Sequence, residues 1–412
     1  MVDKLLLVFQ FFTNCVQPQT IMLNEGAKVE AGTPELEQNM PITEQLQFGE
    51  LLSEELLQLL THLKDLIECK QKTQEIEQYE QKIKHIVDLI FEFLVKILTE
   101  EGLWNESEEN VKATAQKILE FSLLTHLQFD SHWAKPSFHN EIHILAVTYA
   151  FLKVFFALLK SEDIFQIRNT LNTWNQKSET SESSTSPITL AEFTIAMIIA
   201  LAIHDLGNIL QAIQEQEGKN PKAIFHEVYN AEGAEERSKA IASVLITEFY
   251  QAVDEAKIQQ IKRLVQHLIE QTKFQPNPNL TEKGAWWLLV QIIDQIGGNM
   301  VLLSTNPNYY VSAVAGLIIE ILTVRAANEI NLTNFLNFIA PRLKILVPDE
   351  EEANEILALL SNQQFNLLAN HLNQANKNNF AHIVEILKKA FPDHQVSVCT
   401  NETNQTFLTI SQ

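Results

Sequence analysis

The sequence predicts an all-α protein, and three observations lead to this fold class. Glycine and proline number only 11 and 12 among 412 residues, fewer than the turns of an all-β protein normally require. Apolar residues recur at helical spacing, as in residues 48–71, where seven leucines from Leu51 to Leu66 fall on one stripe. Hydrophobic residues make up 46% of the chain, enough for a sizeable core. We therefore expect a helical bundle of at least five helices that carries extensions.

The pattern divides the chain into four regions. Residues 1–47 are predicted to form an N-terminal segment and polar linker, and residues 48–130 a helical N-terminal region. Residues 131–345 contain the most apolar helical stretches and are expected to form the core. Residues 346–412 are predicted to form helices followed by a small β-hairpin, because apolar residues alternate on both sides of the sequence NETN at 401–404.

Charge and cysteine content exclude some classes of function. The chain has 30 basic and 52 acidic residues, a formal net charge of −22, which disfavours nucleic-acid binding by a general basic surface. A bound metal would still allow a small phosphorylated ligand. Cys15, Cys69 and Cys399 are isolated, which indicates a reducing compartment and no disulfide framework. We expect the apolar N-terminus to be a buried helix and not a signal peptide, and no stretch to span a membrane.

The first candidate motif lies at the end of the most hydrophobic stretch. In ALAIHDLGN, residues 200–208, an apolar run ends in His204 and Asp205, with Gly207 close behind. A helix that simply ends there would explain the pair. A metal site would explain it equally well, because imidazole nitrogen and carboxylate oxygen are both common ligands.

Two further histidines precede another apolar run. Pro136 and Ser137 resemble a helix start, and His139 and His143 would then lie four residues apart on one helix face. One imidazole can bind a cation while the other faces what the cation binds. A polar patch without any ligand is the ordinary alternative.

A lone carboxylate lies inside the later apolar run WWLLVQIIDQIGG. Asp294 is flanked by isoleucines, and an unpaired buried carboxylate is unfavourable. A bound cation or a buried salt bridge would compensate it. Each of these features is weak alone, but the order His…His-Asp…Asp, each on an apolar helix, is specific. Nitrogen and oxygen ligands without thiolates suit Mn²⁺, Fe²⁺, Mg²⁺ or Zn²⁺.

These motifs resemble those of the HD-domain metal-dependent phosphohydrolase superfamily. The sequence FHNEIH, at 138–143, is similar to the entry motif of the cyclic-nucleotide phosphodiesterases and of small bacterial HD phosphohydrolases, and LAIHDLGN is similar to their central motif. AEERSKAIASVLI, from 234, resembles an acidic-Arg-Ser helix of the bacterial members. LVQHLIEQT and IIDQIGG resemble their closing segment. The resemblance makes residues 131–345 an HD-type catalytic core.

The resemblance also implies roles for individual residues. It implies that four residues bind the metal and that His139 protonates the leaving oxygen. A second set would lie in the outer shell or contact substrate, a role for which an ordinary solvated helix face is the alternative. The implied metal ligands are His143, His204, Asp205 and Asp294, and the weaker set is Asn140, Asn208, Glu235, Glu236 and Ser238.

Two departures from the family pattern favour one metal over two. Asn208 occupies the place where several members have a histidine or lysine, and asparagine is a poor ligand. The acidic residue of the family's ATD-type segment is missing from Glu270–Thr272, which reads EQT. His226, in the segment after the central motif, could be a further site residue or an exposed loop histidine.

The expected function is metal-dependent hydrolysis of a phosphoester in a nucleotide or a related small metabolite, in a bacterial cytoplasm. Two alternatives stay open: a degenerate HD-fold interaction or sensing protein without hydrolytic activity, and a metal-independent phosphodiesterase that acts on phosphodiester-linked protein modifications. The substrate, the metal and the oligomeric state are left undetermined by the sequence.

Overall fold

The structure is a computed structural model. It describes the chain from residue 42 to residue 411, with internal gaps. The described ranges are 42–72, 76–132, 140–160, 164–178, 186–209, 233–250, 255–272, 290–305, 310–327, 332–347, 349–361, 364–375 and 380–411.

The described residues form fourteen α-helices and one two-stranded antiparallel sheet, which confirms the predicted all-α class and the small C-terminal hairpin. The helices are α1 Ile42–Lys72, α2 Ile76–Glu100, α3 Glu109–His132, α4 Glu141–Leu159, α5 Ile164–Ser178, α6 Leu190–Ile203, α7 Ala234–Phe249, α8 Glu255–Glu270, α9 Gly298–Thr305, α10 Tyr310–Ala327, α11 Leu332–Leu346, α12 Glu350–Leu360, α13 Phe365–Ala375 and α14 Phe380–Ala390; the strands are β1 Gln395–Thr400 and β2 Thr406–Ser411.

Helix α6 lies at the centre of the fold. It starts with a capping box, in which the Thr189 side chain accepts from the Glu192 amide and the Glu192 carboxylate accepts from the Thr189 amide. All of its residues are buried, because α3, α4, α5, α7 and α8 pack around it. A helix that is apolar all round is stable only when it is covered in this way.

Helices α3 and α6 lie side by side and run in the same direction. Near their starts, the Thr189 hydroxyl donates to Glu108 Oε1 at 3.0 Å. Further along both helices, the Ser122 hydroxyl donates to the Ala202 carbonyl. The two contacts fix the relative register of α3 and α6 as far as the end of α6.

Helix α4 packs against both the core and the N-terminal helices. It contacts α1, α2, α3, α6, α9 and α11. The Tyr79 hydroxyl, on α2, donates to Glu141 Oε1 at 2.9 Å, and Glu141 is fully buried in the first turn of α4. The N-terminal helical region is thereby connected to the first turn of α4, which contains the last three residues of the FHNEIH motif.

The C-terminal hairpin packs on helices α13 and α14. Val396 pairs with Ile410 and Val398 with Leu408, and the turn at 401–404 contains Asn404 with a φ of 59°. Asparagine tolerates this left-handed conformation better than most residues. The alternation seen in the sequence therefore corresponds to the observed register.

Several predicted boundaries are wrong. Helix α1 begins at Ile42, inside the segment predicted as a linker up to residue 47; the earlier residues lie outside the described ranges. Helix α4 begins at Glu141, after the N-cap Asn140, and not at Pro136 or Ser137. Asn140 has an extended backbone, with φ −123° and ψ 179°, and its side chain accepts from the His143 amide at 3.0 Å.

Two helical segments, Glu141–Leu159 and Leu190–Ile209, are long and apolar enough to cross a membrane by length and composition. Each segment contains two charged residues, so length and composition do not contradict the expectation that no stretch spans a membrane. Their apolar windows are 78% and 100% buried by the rest of the protein. Core helices of a helical bundle show the same burial, so the described part of the chain has no clear membrane span.

Candidate metal centre

The three sequence segments that carry the predicted ligands meet at one buried point. His143 lies in the first turn of α4, and His204 and Asp205 form a turn directly after α6. Asp294 lies in a π-helical turn, Ile293–Gly297, that precedes α9 and packs against α4. All four residues are between 4% and 6% exposed.

The Nε2 atoms of the two imidazoles face the two carboxylates. His204 Nε2 lies 2.8 Å from Asp294 Oδ1 and 3.1 Å from Asp205 Oδ2. His143 Nε2 lies 3.6 Å and 3.5 Å from the same two oxygens. The ring centroids of the histidines are 5.8 Å apart. The structure thus brings together all four residues that the sequence predicts as metal ligands.

The orientation of His204 is fixed by its backbone. Its Nδ1 lies 2.7 Å from the Leu201 carbonyl, which can only accept, so Nδ1 carries a proton. In the neutral ring Nε2 is then an acceptor that faces two carboxylate oxygens without hydrogen-bond geometry. The imidazole Nε2 and the carboxylate oxygens are all acceptors, so they can lie this close together only with a proton or a cation between them.

Without a metal, the required charge is supplied by protonation. Burial alone would lower the pKa of His204, but the Asp205 and Asp294 carboxylates outweigh burial and raise it well above its usual value. Burial would raise the pKa of Asp294, but the His204 charge and the contacts with both histidines lower it to about 2. The metal-free site is therefore an imidazolium–carboxylate cluster.

The same groups could hold a metal ion. Ligand atoms of His143, His204 and Asp294 all lie within 4.8 Å of one another, and Asp205 contacts both imidazoles. Metal-binding histidines commonly donate their second ring nitrogen to a backbone carbonyl, as His204 does to Leu201. The donor set fits a divalent cation of the Mn²⁺, Fe²⁺, Mg²⁺ or Zn²⁺ type, and it leaves the identity of the metal open.

The turn after α6 is held from outside by α7. The Ser238 hydroxyl donates to the His204 carbonyl at 2.7 Å and accepts from the Gly207 amide at 2.9 Å. Arg237 Nε donates to the Gly207 carbonyl at 3.0 Å. A Cβ on Gly207 would lie 2.0 Å from the Ala234 carbonyl oxygen, so only glycine allows this close approach. Ser238 therefore supports the backbone that carries His204 and Asp205.

The other residues of the weaker predicted set have different positions. Asn208 Nδ2 donates to Asp205 Oδ1 at 3.3 Å, which orients that carboxylate. Asn140 is the N-cap of α4. Glu236 pairs with Lys239, one turn along α7, at 2.7 Å, and Glu235 is half-buried near Gly233. The described contacts give Asn140, Asn208 and Ser238 a supporting role and place neither glutamate at the metal set.

Two predicted histidines lie outside the described residues. These are His139 and His226. The shared helix face predicted for His139 and His143 is not tested by the described residues. The predicted start of α4 is wrong, because the helix begins at Glu141 after the extended Asn140. The error has a physical cause: Ser137 and Asn140 are both good N-caps, and the sequence alone does not choose between them.

Several groups next to the site were missed by the sequence analysis. Glu320, on α10, accepts from Asn299 Nδ2; burial and the nearby Asp294 charge raise the pKa of Glu320 well above its usual value. Gly298 packs against His143, since a Cβ there would lie 2.5 Å from His143 Nδ1. His126 is buried on α3 near the same residues. Glu320 and His126 belong to no motif, and Gly298 is the last residue of IIDQIGG but carries no signal for a contact with His143. The proximity of all three to the site depends on packing between distant segments.

Comparison with known proteins gives no match: no family model, no curated protein and no solved structure is similar to this chain. The geometry of the site and the resemblance of its motifs are therefore the basis for the functional argument.

Proposed function

We propose that the chain is a metal-dependent phosphohydrolase of the HD type, which hydrolyses a phosphoester in a nucleotide or a related small metabolite. The observation that carries the proposal is the convergence of His143, His204, Asp205 and Asp294 at one buried point. These residues lie on three segments that are up to 151 positions apart in the sequence, and their order is the one expected from the HD motifs.

The cluster has the properties that a hydrolytic metal site requires. Two neutral nitrogens and two carboxylates would bind a divalent cation and leave it with little net charge. A divalent cation in such a site lowers the pKa of bound water and stabilises negative charge on a phosphoryl oxygen. The supporting residues described above, Ser238 and Asn208, would hold the ligands in place during turnover.

The leaving group needs a proton donor, and His139 is the candidate. It precedes the N-cap of α4 by one residue and His143 by four, so the chain places it within a few residues of the metal set. Its role as general acid comes from the resemblance of FHNEIH to the phosphodiesterase entry motif and is part of the proposal.

The first experiment measures metal and turnover together in the full chain. Elemental analysis of the purified protein should find close to one equivalent of Mn, Fe, Mg or Zn. Hydrolysis of bis(p-nitrophenyl) phosphate should stop after chelation and return when the metal is restored. Asp294→Asn should lose both properties.

Glu192→Gln is the matched control for this experiment. Glu192 is also a buried carboxylate of α6, but it lies at the opposite end of the helix from the site and pairs with Lys257 at 2.8 Å. Its substitution should leave metal content and turnover unchanged. If the parent protein contains no metal under any loading condition, the proposed function fails.

A second candidate function is a degenerate HD-fold interaction or sensing protein. The observation in its favour is that the metal-free cluster already contains an ion pair of its own, with His204 Nε2 and Asp294 Oδ1 at 2.8 Å. Such a cluster can support the fold without a cation. Stable metal-free protein that hydrolyses neither phosphodiesters nor phosphomonoesters would favour this alternative.

A further inference from the structure

His126 is a fully buried histidine on α3 whose ring has one unexplained nitrogen. Its Nδ1 lies 2.7 Å from the Ser122 carbonyl, one turn earlier, so Nδ1 carries the proton and donates it. Nε2 is then an acceptor. It is buried and has no hydrogen-bond partner among the residues that the structure describes. Buried acceptors without a partner are rare and call for an explanation.

The packing of α3 places His126 at the level of the metal set. The two helices run in the same direction, and Ser122 contacts the Ala202 carbonyl. His126 lies one turn beyond Ser122, and His204 lies two residues beyond Ala202, so both imidazoles are at the same level of the bundle. The charges that act on His126 are those of Asp205, His204 and His143, which agrees with this position.

His126 and His204 have the same internal arrangement. In each ring, Nδ1 donates to a backbone carbonyl of the preceding turn at 2.7 Å, which leaves Nε2 as the acceptor. This is the arrangement of histidines that serve metal centres. His126 does not belong, however, to the group of atoms within 4.8 Å of one another, which is formed by His143, His204 and Asp294 among the described residues.

We infer that His126 Nε2 accepts a hydrogen bond from a water ligand of the cation held by His143, His204, Asp205 and Asp294. His126 is then the residue that orients this water from the α3 side of the site. The inference rests on the proposed function only in so far as a cation must bind. It gives the N-terminal helical region, which the HD motifs do not cover, a direct part in the metal centre.

Two substitutions of His126 distinguish the role of its Nδ1 from the role of its Nε2. His126→Asn keeps a donor where Nδ1 donates to Ser122 and removes the acceptor at Nε2. His126→Gln places an oxygen acceptor near the position of Nε2. His371→Asn is the matched control, because His371 also has a buried ring nitrogen without a hydrogen-bond partner but lies on α13, where it pairs with Glu355.

The measurement is the dissociation constant of Mn²⁺ for the full chain, obtained by competition with a chelator. His126→Asn should weaken binding roughly 10- to 100-fold, the usual effect of losing an outer-shell partner. His126→Gln should restore most of the affinity, and His371→Asn should match the parent. An unchanged affinity in His126→Asn would show that His126 only fills space, and the inference would be overturned.

Electron spin-echo spectroscopy of bound Mn²⁺ distinguishes an outer-shell role from direct ligation. The nitrogen couplings of two imidazoles should be present in the parent and in His126→Asn alike. Loss of one nitrogen coupling in His126→Asn would make His126 a ligand and would overturn the water-mediated role.

A measurement on the parent protein covers the case in which a His126 variant does not fold. With ¹⁵N-labelled histidine, Zn²⁺ should move the His126 Nε2 resonance while Nδ1 keeps its proton. Identical His126 resonances with and without Zn²⁺ would overturn the inference. A parent that binds no metal would defeat the proposed function as well, whereas a parent that binds metal without hydrolysing phosphoesters would leave the His126 test intact.

Discussion

The centre of the fold and its C-terminal region use polar residues in opposite ways. Every residue of α6 is buried, and the polar groups at its end and on α4 converge on one point. In α12, four of eleven residues are buried, all of them apolar, and the charged residues lie on the outside. A buried titratable group in the first region therefore has to be neutralised by a partner or a ligand, whereas the glutamates of α12 reach solvent.

A half-buried amide of the C-terminal region serves backbone pairing instead. Asn373, on α13, donates to the Leu408 carbonyl at 3.2 Å and accepts from the Leu408 amide at 2.7 Å. It joins a helix to the hairpin and contributes no charge. Comparison of the two regions teaches that buried ionisable groups that face one another need a compensating charge, whereas the amide of Asn373 is satisfied by the backbone alone.

The largest effect is expected at the site carboxylates. Asp205→Asn and Asp294→Asn each remove a negative charge that the cation needs, so metal content and hydrolysis should both fall below detection. The parent should gain about 2.7 kcal/mol of stability at a metal concentration 100 times its dissociation constant, and these variants should gain none. Denaturant unfolding with and without metal measures this. A variant that keeps full metal occupancy would show that its carboxylate is only structural.

The next effect concerns the proposed general acid. His139→Ala should keep the metal and lower the rate for substrates with poor leaving groups roughly 10²- to 10⁴-fold. The loss should shrink for nitrophenyl esters, because nitrophenolate leaves without protonation. His143→Ala should lose metal and turnover for both substrate types. Loss of metal from His139→Ala alone would show that the roles of the two histidines are reversed.

The pH dependence of the metal-free protein should have two limbs. The raised pKa of His204 contributes stability below about pH 6.5, and this contribution is lost as the pH rises through the folded-state pKa. Burial is the main cause that lowers the pKa of His126 to about 4. As the pH falls from about 6.5 towards 4, the unfolded chain binds a proton at His126 that the folded chain does not, so the free energy of unfolding decreases by at most roughly 3 kcal/mol.

Chelator-treated protein should therefore be most stable at pH values between these two losses of stability. Bound metal should remove the loss at high pH, because the metal replaces the proton on His204. Urea unfolding at a series of pH values, with and without metal, measures both limbs. An alkaline limb that persists unchanged with bound metal would contradict the shared use of His204 by proton and cation.

A smaller effect is expected at the glycine that packs on His143. In Gly298→Ala the new Cβ would lie 2.5 Å from His143 Nδ1, so the imidazole has to shift. Metal affinity should fall roughly 10- to 100-fold, as for other losses of ligand positioning. Gly316→Ala is the control on α10, where the nearest atom to a new Cβ is Asn299 Oδ1 at 4.0 Å. Equal metal dissociation constants for the two variants would show that the contact with Gly298 does not position His143.

The smallest effect tests the C-terminal region. Asn373→Ala removes two hydrogen bonds to Leu408 and should destabilise the chain by roughly 1–2 kcal/mol. Under conditions in which the Asn373→Ala variant is fully folded, its metal affinity should be the same as that of the parent. Denaturant unfolding and Mn²⁺ titration check the two parts, and a weakened metal affinity would mean that the two regions are coupled.

The fold class and the four groups at the site could be predicted because their signals are local. Helical spacing marks the helices, and an ionisable group inside an apolar run marks the positions of His204, Asp205 and Asp294. The start of α4 could not be predicted, since two good N-caps compete there. The position of His126 could not be predicted either, because it depends on the register of α3 against a helix some 80 residues later in the chain.

The widened turn at Ile293–Gly297 sets the rotational phase between the helical residues before it and α9 after it. Asp294, inside the turn, and Gly298, directly after it, both contact His143. An α-helix turns about 100° per residue, so the loss of a single residue there would rotate one contact away from the other. Among related chains, the length of this segment should therefore be a more sensitive marker of a working site than the identity of its apolar residues. A one-residue gap would separate the two contacts even where every ligand is retained.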